Sequence, residues 1–204
     1  MIKNVIFDWG GVINDVFDDA LKTINGMFVD LGGKPISKQQ LKDEWEQPYM
    51  DFYHKFFPDL TLEKQKLLFK KHIGQHKTRK AYKGIKEFLN KLEDANIKTV
   101  VLSSDQKSTI MEEVDEYGLR SKLGIIYYDV HDKGSIIEDI LKKHHFSKNE
   151  TLIVGDSIHE IKVGKSAGIK TAAVTWGLSS EKRLKAFDPD YIINNLSDLE
   201  KAIF

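Results

Sequence analysis

From residue 82 onward, short apolar runs alternate with amphipathic segments, and this alternation constrains the fold more than any other feature. One segment, residues 83–96, has apolar residues at the spacing of a helix: Ile85, Phe88, Leu89 and Leu92. The next run, residues 97–105, is typical of a strand that ends in polar residues. Strands and helices that alternate in this way favour a parallel sheet with helices on both faces. We therefore predict an α/β fold.

Residues 15–80 interrupt the alternation, because they carry helical patterns but no convincing strand. Ser37 and Gln40 match the capping box at a helix N-terminus, and Thr61 can cap a later helix. The aromatic residues near the middle of this stretch are more typical of a buried core than of a binding surface. The stretch predicts a helical insertion directly after the first strand.

The chain has 204 residues, which is enough for one medium-sized domain that carries an insertion. We expect residues 1–14 and 81–204 to form an α/β core domain, and residues 15–80 to form a separate helical domain. The sequence contains no internal repeat and no low-complexity linker between them.

The composition indicates which cellular compartment and which binding partners to expect. Lys and Arg together number 31, as do Asp and Glu, so the net charge is zero and we expect neither a nucleic-acid nor a membrane partner. The absence of cysteine excludes disulfides and thiolate chemistry. No apolar run reaches the roughly 20 residues of a membrane span, and the N-terminus lacks a signal-peptide pattern. We predict a cytoplasmic protein.

Polar residues occur where the predicted strands end, which is where ligands bind in an open parallel sheet. These residues end a strand, follow it or open the next helix: Asp8, Ser103, Ser104, Lys133, Asp156 and Glu160. Carboxylate oxygens are hard ligands suited to Mg²⁺, and a lysine can neutralise phosphate oxygens. An aspartate can also act as the nucleophile in phosphoryl transfer. The set suits a phosphate group bound with Mg²⁺.

Four parts of the chain resemble motifs of the haloacid dehalogenase-like superfamily of phosphohydrolases: VIFDWGGVI at 5–13, VVLSSD at 100–105, Lys133, and GDSIHEIKVGKSAGIKTAAVTWG at 155–177. The tail SSEKRLKAFDPDYIINNLSDL is similar to that of the phosphoglycolate-phosphatase-like branch. The resemblance covers essentially the whole chain. It implies a Rossmann-like core with the insertion as a helical cap over the active site. It also implies a Mg²⁺-dependent phosphatase of a small phosphorylated metabolite.

The resemblance implies a metal site made of four residues. Asp8 would be both the nucleophile and a Mg²⁺ ligand, and Asp156 would be a second ligand. Glu160 stands where the family has an acidic residue that binds the metal directly or through water. The family also uses the backbone carbonyl of the residue two positions after the nucleophile, and Gly10 retains that carbonyl.

The resemblance also implies how the phosphate would be bound. Ser103, with Ser104 beside it, would hydrogen-bond the phosphoryl group, and Lys133 would offset its charge. The alternative is that Ser103 is an ordinary strand-end hydroxyl and Lys133 a surface lysine. The segment HDKGS at 131–135 lacks the proline that is common after the family's lysine.

Gly10 departs from the family pattern, because most relatives have an aspartate there. That aspartate protonates the leaving group and then activates water, and general acid–base catalysis of this kind is typically worth ~10²–10⁴-fold. Asp15 and the insertion's His54 are candidates to replace it. The loss matters less when the leaving group has a low pKa, as in acyl phosphates or sugar 1-phosphates.

Three hypotheses about function therefore remain. A phosphatase is favoured by the retained Asp8 and Asp156. A weakly active or inactive relative that binds phosphate or a protein partner is favoured by Gly10. A dehalogenase would also use an aspartate nucleophile but would need no metal, and the acidic segment GDSIHE at 155–160 argues against it.

Overall fold

The structure is a computed structural model that describes residues 1–46, 48–74, 79–130 and 132–204. The described residues form eight strands: β1 Asn4–Phe7, β2 Asn14–Asp15, β3 Lys80–Ala81, β4 Lys98–Leu102, β5 Ile125–Tyr127, β6 Thr151–Gly155, β7 Lys170–Val174 and β8 Tyr191–Ile193. They also form ten α-helices: α1 Phe17–Asp30, α2 Lys38–Glu44, α3 Tyr49–His54, α4 Leu62–His72, α5 Ile85–Asp94, α6 Lys107–Glu116, α7 Lys133–Lys143, α8 Ile158–Ala167, α9 Glu181–Lys185 and α10 Leu196–Ile203. A 3₁₀ turn spans Lys148–Glu150. None of the helices in these ranges is long and apolar enough to cross a membrane.

Six of the strands form one parallel sheet in the order β5-β4-β1-β6-β7-β8. The chain extends the sheet from β1 to β4 and β5 on one side, then returns to add β6, β7 and β8 on the other. The strand order reverses between β1 and β6, where Phe7 pairs with Val154. Such a switch point opens a crevice at the carboxyl ends of the strands. The α/β fold predicted from the alternation is confirmed.

Both faces of the sheet are covered, as the alternation of the side chains along each strand requires. Val5 and Phe7 of β1 pack with α5, α6 and α10 on one face. Ile6, between them, packs with α7 and the end of α8 on the other face. Because the central strands are buried on both faces, they read as continuous apolar runs in the sequence.

The chain enters and leaves the insertion through β2 and β3, which pair antiparallel as a separate two-stranded ribbon. Helices α1 to α4 lie between these strands in the sequence. The sequence pattern did not indicate the ribbon, and the expected domain boundaries fall within it, because Asp15 pairs with Lys80. Residues 47 and 75–78 of the insertion lie outside the described residues.

The helix starts predicted inside the insertion are confirmed. The Ser37 hydroxyl accepts from the Gln40 amide, and the Gln40 side chain accepts from the Ser37 amide, which completes the capping box of α2. The Thr61 hydroxyl accepts from the Lys64 amide at the start of α4. The aromatic residues pack into a buried cluster centred on Phe28 and Phe52.

Candidate active site

Asp8 follows β1 directly and lies at the switch point of the sheet. Its amide donates to the Val154 carbonyl at 2.9 Å, so the chain is still held against β6 at this residue. Its Oδ1 accepts from the Trp9 amide at 2.7 Å and lies 3.0 Å from Lys133 Nζ. The strand end and the turn after it therefore fix the orientation of this carboxylate.

Lys133 lies at the first position of α7 and is only 5% exposed. Its Nζ also donates to Glu160 Oε1 at 2.8 Å, so the ammonium lies between two carboxylates. Burial acts to lower the pKa of Lys133, but Asp8 and Glu160 hold it above its ordinary value. Burial acts to raise the pKa of Glu160, but Lys133 outweighs it and lowers that pKa. The lysine is therefore a buried, charged member of the site.

Asp156 follows β6 and is buried beside two glycines. Its Oδ2 accepts from the Leu178 amide at 2.7 Å. A Cβ atom on Gly11 would lie 2.1 Å from that oxygen, and a Cβ atom on Gly177 would lie 2.2 Å from it. Gly11 also has a φ of +77°, which side-chain-bearing residues rarely adopt. Glycine is required at both positions if Asp156 is to keep this place.

Four residues meet at this end of the sheet, and we call them the carboxylate edge: Asp8, Lys133, Asp156 and Glu160. One carboxylate oxygen from each of the three acids lies within 4.8 Å of those from the other two. Burial raises the pKa of Asp8 to about 7, against the attraction of Lys133. Burial and the charges of Asp8 and Glu160 raise the pKa of Asp156 to about 8. A divalent cation would relieve this crowding, and three hard oxygen donors fit Mg²⁺.

The two serines predicted to bind phosphate lie in different environments. Ser103 ends β4 and is buried, and its hydroxyl accepts from the Asp105 amide at 3.1 Å and lies 3.4 Å from Asp105 Oδ2. Ser104 is exposed to solvent. The structure therefore brings the three acids and the lysine close together, with Lys133 in direct contact with Asp8 and Glu160. The Ser103 hydroxyl instead contacts Asp105.

Gly10 lies beside the start of the ribbon, where it bridges Asn14, whereas His54, one of its two candidate substitutes, lies in the insertion. Among the described residues, a Cβ atom on Gly10 would approach only the Val16 methyl groups, at 3.9 Å, so this position has room for a side chain. His54 Nε2 lies 3.0 Å from the Leu60 carbonyl inside the insertion, and Asp15 belongs to the ribbon. The contacts of His54 keep its ring within the insertion.

Lys42 of α2 is a residue that sequence reasoning missed. Its Nζ donates to the Thr175 carbonyl at 2.9 Å, and its own carbonyl accepts from the Ser180 amide at 2.9 Å. Burial lowers the pKa of Lys42, although the Asp156 carboxylate opposes that change. The insertion therefore contacts the loop after β7, which also supplies the Leu178 amide to Asp156. No local pattern around Lys42 could have indicated this contact.

The fold and these contacts define the class to which the protein belongs. Its members have an open α/β sheet with carboxylates and a buried lysine at the switch point. The family model for haloacid dehalogenase-like hydrolases matches residues 5–174. Since this match spans most of the chain, the protein belongs to the haloacid dehalogenase-like hydrolase family, as its motifs predicted.

Individual relatives agree with that assignment. A pyrophosphatase PpaX from Halalkalibacterium halodurans is 28% identical over 205 residues, which cover 97% of this chain and 95% of that protein. A pyrophosphatase PpaX from Oceanobacillus iheyensis is 26% identical, with the same shares covered. The structure of a haloacid dehalogenase-like hydrolase from Streptococcus pneumoniae matches with a TM-score of 0.81 at 17% identity, over 100% of this chain and 99% of that one. These findings confirm the predicted enzyme class, a phosphatase-type hydrolase.

Proposed function

We propose that the protein is a Mg²⁺-dependent phosphatase of a small phosphorylated metabolite, with Asp8 as its nucleophile. The observation that carries this proposal is the position of Lys133, whose buried ammonium lies 3.0 Å from Asp8 and 2.8 Å from Glu160. A buried cation beside a strand-end carboxylate is suited to receive a phosphoryl group, because it offsets the charge of the phosphoryl oxygens.

In the proposed reaction, an Asp8 oxygen attacks phosphorus and the bond from phosphorus to the leaving oxygen breaks, which gives an aspartyl-phosphate. Water then attacks that phosphorus, releases inorganic phosphate and regenerates Asp8. Lys133 orients the Asp8 carboxylate and neutralises phosphoryl charge in both steps. Ser103, with Ser104 as a further donor, would hydrogen-bond the phosphoryl oxygens.

Mg²⁺ would be held by Asp8, Asp156 and the Gly10 carbonyl, and it would supply positive charge to the bound phosphoryl group. Both oxygens of Glu160 have protein partners, since Oε1 accepts from Lys133 and Oε2 accepts from the Ser157 hydroxyl. These contacts favour a Glu160 that orients Lys133 and reaches the metal through water. The crowding of these three acids, whose oxygens lie within 4.8 Å of one another, supports the metal site.

The substrate would have a leaving group that departs without protonation, because Gly10 supplies no acid. Phosphoric anhydrides and acyl phosphates have this property, since their leaving groups are weak bases. Two relatives in the comparison carry the name pyrophosphatase, which supports an anhydride as the substrate class. The insertion, residues 15–80, would cover the site as a cap, and the contact of Lys42 with Thr175 supports that position.

A screen of phosphorylated metabolites with and without Mg²⁺ tests this proposal, and it should include pyrophosphate, an acyl phosphate and a sugar 1-phosphate. We expect Mg²⁺-dependent release of phosphate from at least one activated substrate, and none from Asp8→Asn. The alternative of an inactive binding module is not favoured by the relatives, but phosphate binding without turnover on every substrate would support it. The cytoplasmic location remains a prediction.

A further inference from the structure

Glu113 is a buried carboxylate that the proposed mechanism does not use. It lies on α6 in the core and is 7% exposed. Its Oε2 accepts from the Trp9 indole Nε1 at 2.6 Å and from Asn14 Nδ2 at 2.8 Å. Trp9 directly follows Asp8, and Asn14 begins the ribbon, so one oxygen joins the turn after Asp8, residues 9–13, to the entry of the insertion.

The second oxygen of Glu113 contacts the exit of the insertion. Arg79 Nη1 donates to Glu113 Oε1 at 3.3 Å, and Arg79 directly precedes β3. The same guanidinium places Nε 3.4 Å from Asp19 Oδ2 on α1. Glu113 therefore contacts side chains from both connections between the core and the insertion, and Arg79 extends the set of contacts to the first helix of the insertion.

Trp9 is hydrogen-bonded to both Glu113 and Asp8. Its side chain is fully buried and stacks on Tyr117 at a centroid distance of 6.1 Å and an interplanar angle of 14°. The Tyr117 hydroxyl donates to Asn14 Oδ1 at 2.9 Å, which closes the set of contacts. The Trp9 amide donates to Asp8 Oδ1, so a shift of Trp9 displaces a hydrogen bond of the nucleophile itself.

We propose that Glu113 is a positioning residue that keeps Asp8 aligned with the connections to the insertion, so that movement of the insertion and orientation of the nucleophile are coupled. This inference rests on the proposed function for its catalytic consequence. The physical reason is that a buried carboxylate holds its donors strongly, because each donor that it loses leaves a buried polar group unsatisfied. A purely structural Glu113 would affect stability without affecting the chemical step.

Glu113→Gln tests the coupling with little change in shape. The glutamine oxygen can still accept from Trp9 and Asn14, but the amide group replaces the oxygen that accepts from Arg79. We expect kcat to fall roughly 10-fold or more, because small misplacements of reacting groups are costly, while KM stays within about twofold. Glu116→Gln is the matched control, since Glu116 is exposed on the same helix. It should leave both constants unchanged.

Trp9→Phe is the second variant, because it keeps an aromatic ring but deletes the indole donor. It should reproduce the loss in kcat, and it decides the question if Glu113→Gln does not fold. Wild-type kcat in folded Trp9→Phe and Glu113→Gln, or a change in thermal midpoint alone, would overturn the inference.

Hydrogen–deuterium exchange provides a readout that is independent of turnover. In Glu113→Gln we expect faster exchange at residues 9–15 and 79–82, with β6 unchanged as the internal reference. Exchange at wild-type rates in both segments would overturn the coupling. If the wild-type protein hydrolyses none of the screened phosphates, the proposed function fails. The exchange experiment still decides whether Glu113 links the insertion to the turn after Asp8.

Discussion

Three of the four residues of the carboxylate edge are as buried as the interior of the insertion, but they are charged, whereas the insertion interior is aromatic. At the edge, Lys133, Asp156 and Glu160 are 5%, 3% and 2% exposed, and charged groups contact one another. In the insertion, Phe28 is 1% exposed and packs against four aromatic rings at centroid distances of 4.9–6.3 Å: Phe52, Tyr53, Phe56 and Phe57.

This difference indicates that the insertion interior contributes mainly to stability, whereas the carboxylate edge contributes reactive groups. Burial of charged groups costs free energy unless they are paired, so the carboxylate edge is weak as a source of stability. Ring packing in the insertion stabilises the fold without supplying reactive groups. We therefore expect substitutions at the edge to change activity more than stability, and substitutions in the insertion interior to do the reverse.

Asp8→Asn should give the largest effect, a loss of turnover to background. The asparagine amide is nearly isosteric with the carboxylate but is a poor nucleophile. The substitution also removes the negative charge of Asp8, whose pKa is raised by burial. The thermal midpoint should therefore be preserved or increased, as measured by circular dichroism. Undiminished activity in a purified mutant would place the nucleophile elsewhere, and a large loss of stability would break the comparison.

Phe28→Ala should give the largest loss of stability. Removal of this ring leaves a cavity among its four aromatic neighbours, and such truncations typically cost about 3–5 kcal/mol. Denaturant unfolding measures the change. Val29→Ala is the control, because Val29 is the next residue on the same helix and is 57% exposed. Equal stability of the two variants would contradict the view that this cluster stabilises the insertion.

Gly10→Asp should accelerate the slow step of the reaction. If no residue of the insertion replaces the missing acid/base, the wild type should release about one equivalent of leaving group from an activated substrate such as an acyl phosphate in a burst. Slow turnover should follow, because Gly10 provides no base to activate water. The position has room for a side chain. The new carboxylate should speed the slow phase by up to ~10²-fold. Fast turnover without a burst in the wild type, with no gain in the folded mutant, would assign this role to another group.

Gly177→Ala should weaken the metal site more modestly. The new methyl group would lie 2.2 Å from Asp156 Oδ2 and 2.3 Å from its Cβ, so Asp156 must move. Changes to groups that orient a metal ligand typically cost 10–100-fold in affinity, and we expect about 10-fold here. Calorimetric titration with Mg²⁺ measures this directly. Gly124→Ala is the matched control, because among the described residues its methyl group would meet no atom within 4 Å.

Ser37→Ala should give the smallest effect. It removes the hydroxyl that caps α2, at a typical cost of about 1 kcal/mol in stability. Denaturant unfolding should show this loss, whereas kcat on the best substrate should be unchanged. A marked fall in kcat would show that α2, which carries Lys42, contributes to the chemistry as well as to the stability of the insertion.

Features that depend on residues close together in the chain could be predicted from the sequence alone. Period and alternation predicted the strands and helices of the core, because burial on one or both faces imposes a repeat on the side chains. The capping signals at Ser37 and Thr61 predicted helix starts, because those hydrogen bonds join residues three apart. Strand-end position also indicated Asp8 and Asp156 as members of one edge, since parallel strands end on the same side.

The tertiary structure decided what depends on residues far apart in the chain. The ribbon of β2 and β3 has two residues in each strand, too few to show a period, and its partners come from opposite ends of the insertion. From the sequence, Lys133 could equally have been a surface lysine. Its burial between Asp8 and Glu160 arises only when α7 meets the sheet edge.

The hydrogen bond from Trp9 to Glu113 spans 104 positions, and the glycines beside Asp156 come from two different loops. Such contacts leave no local signature, because the residue types are ordinary and only packing brings them together. Sequence therefore specified which groups reach the carboxyl end of the sheet. Folding decided which of them touch, and those contacts set the orientation and charge of Asp8.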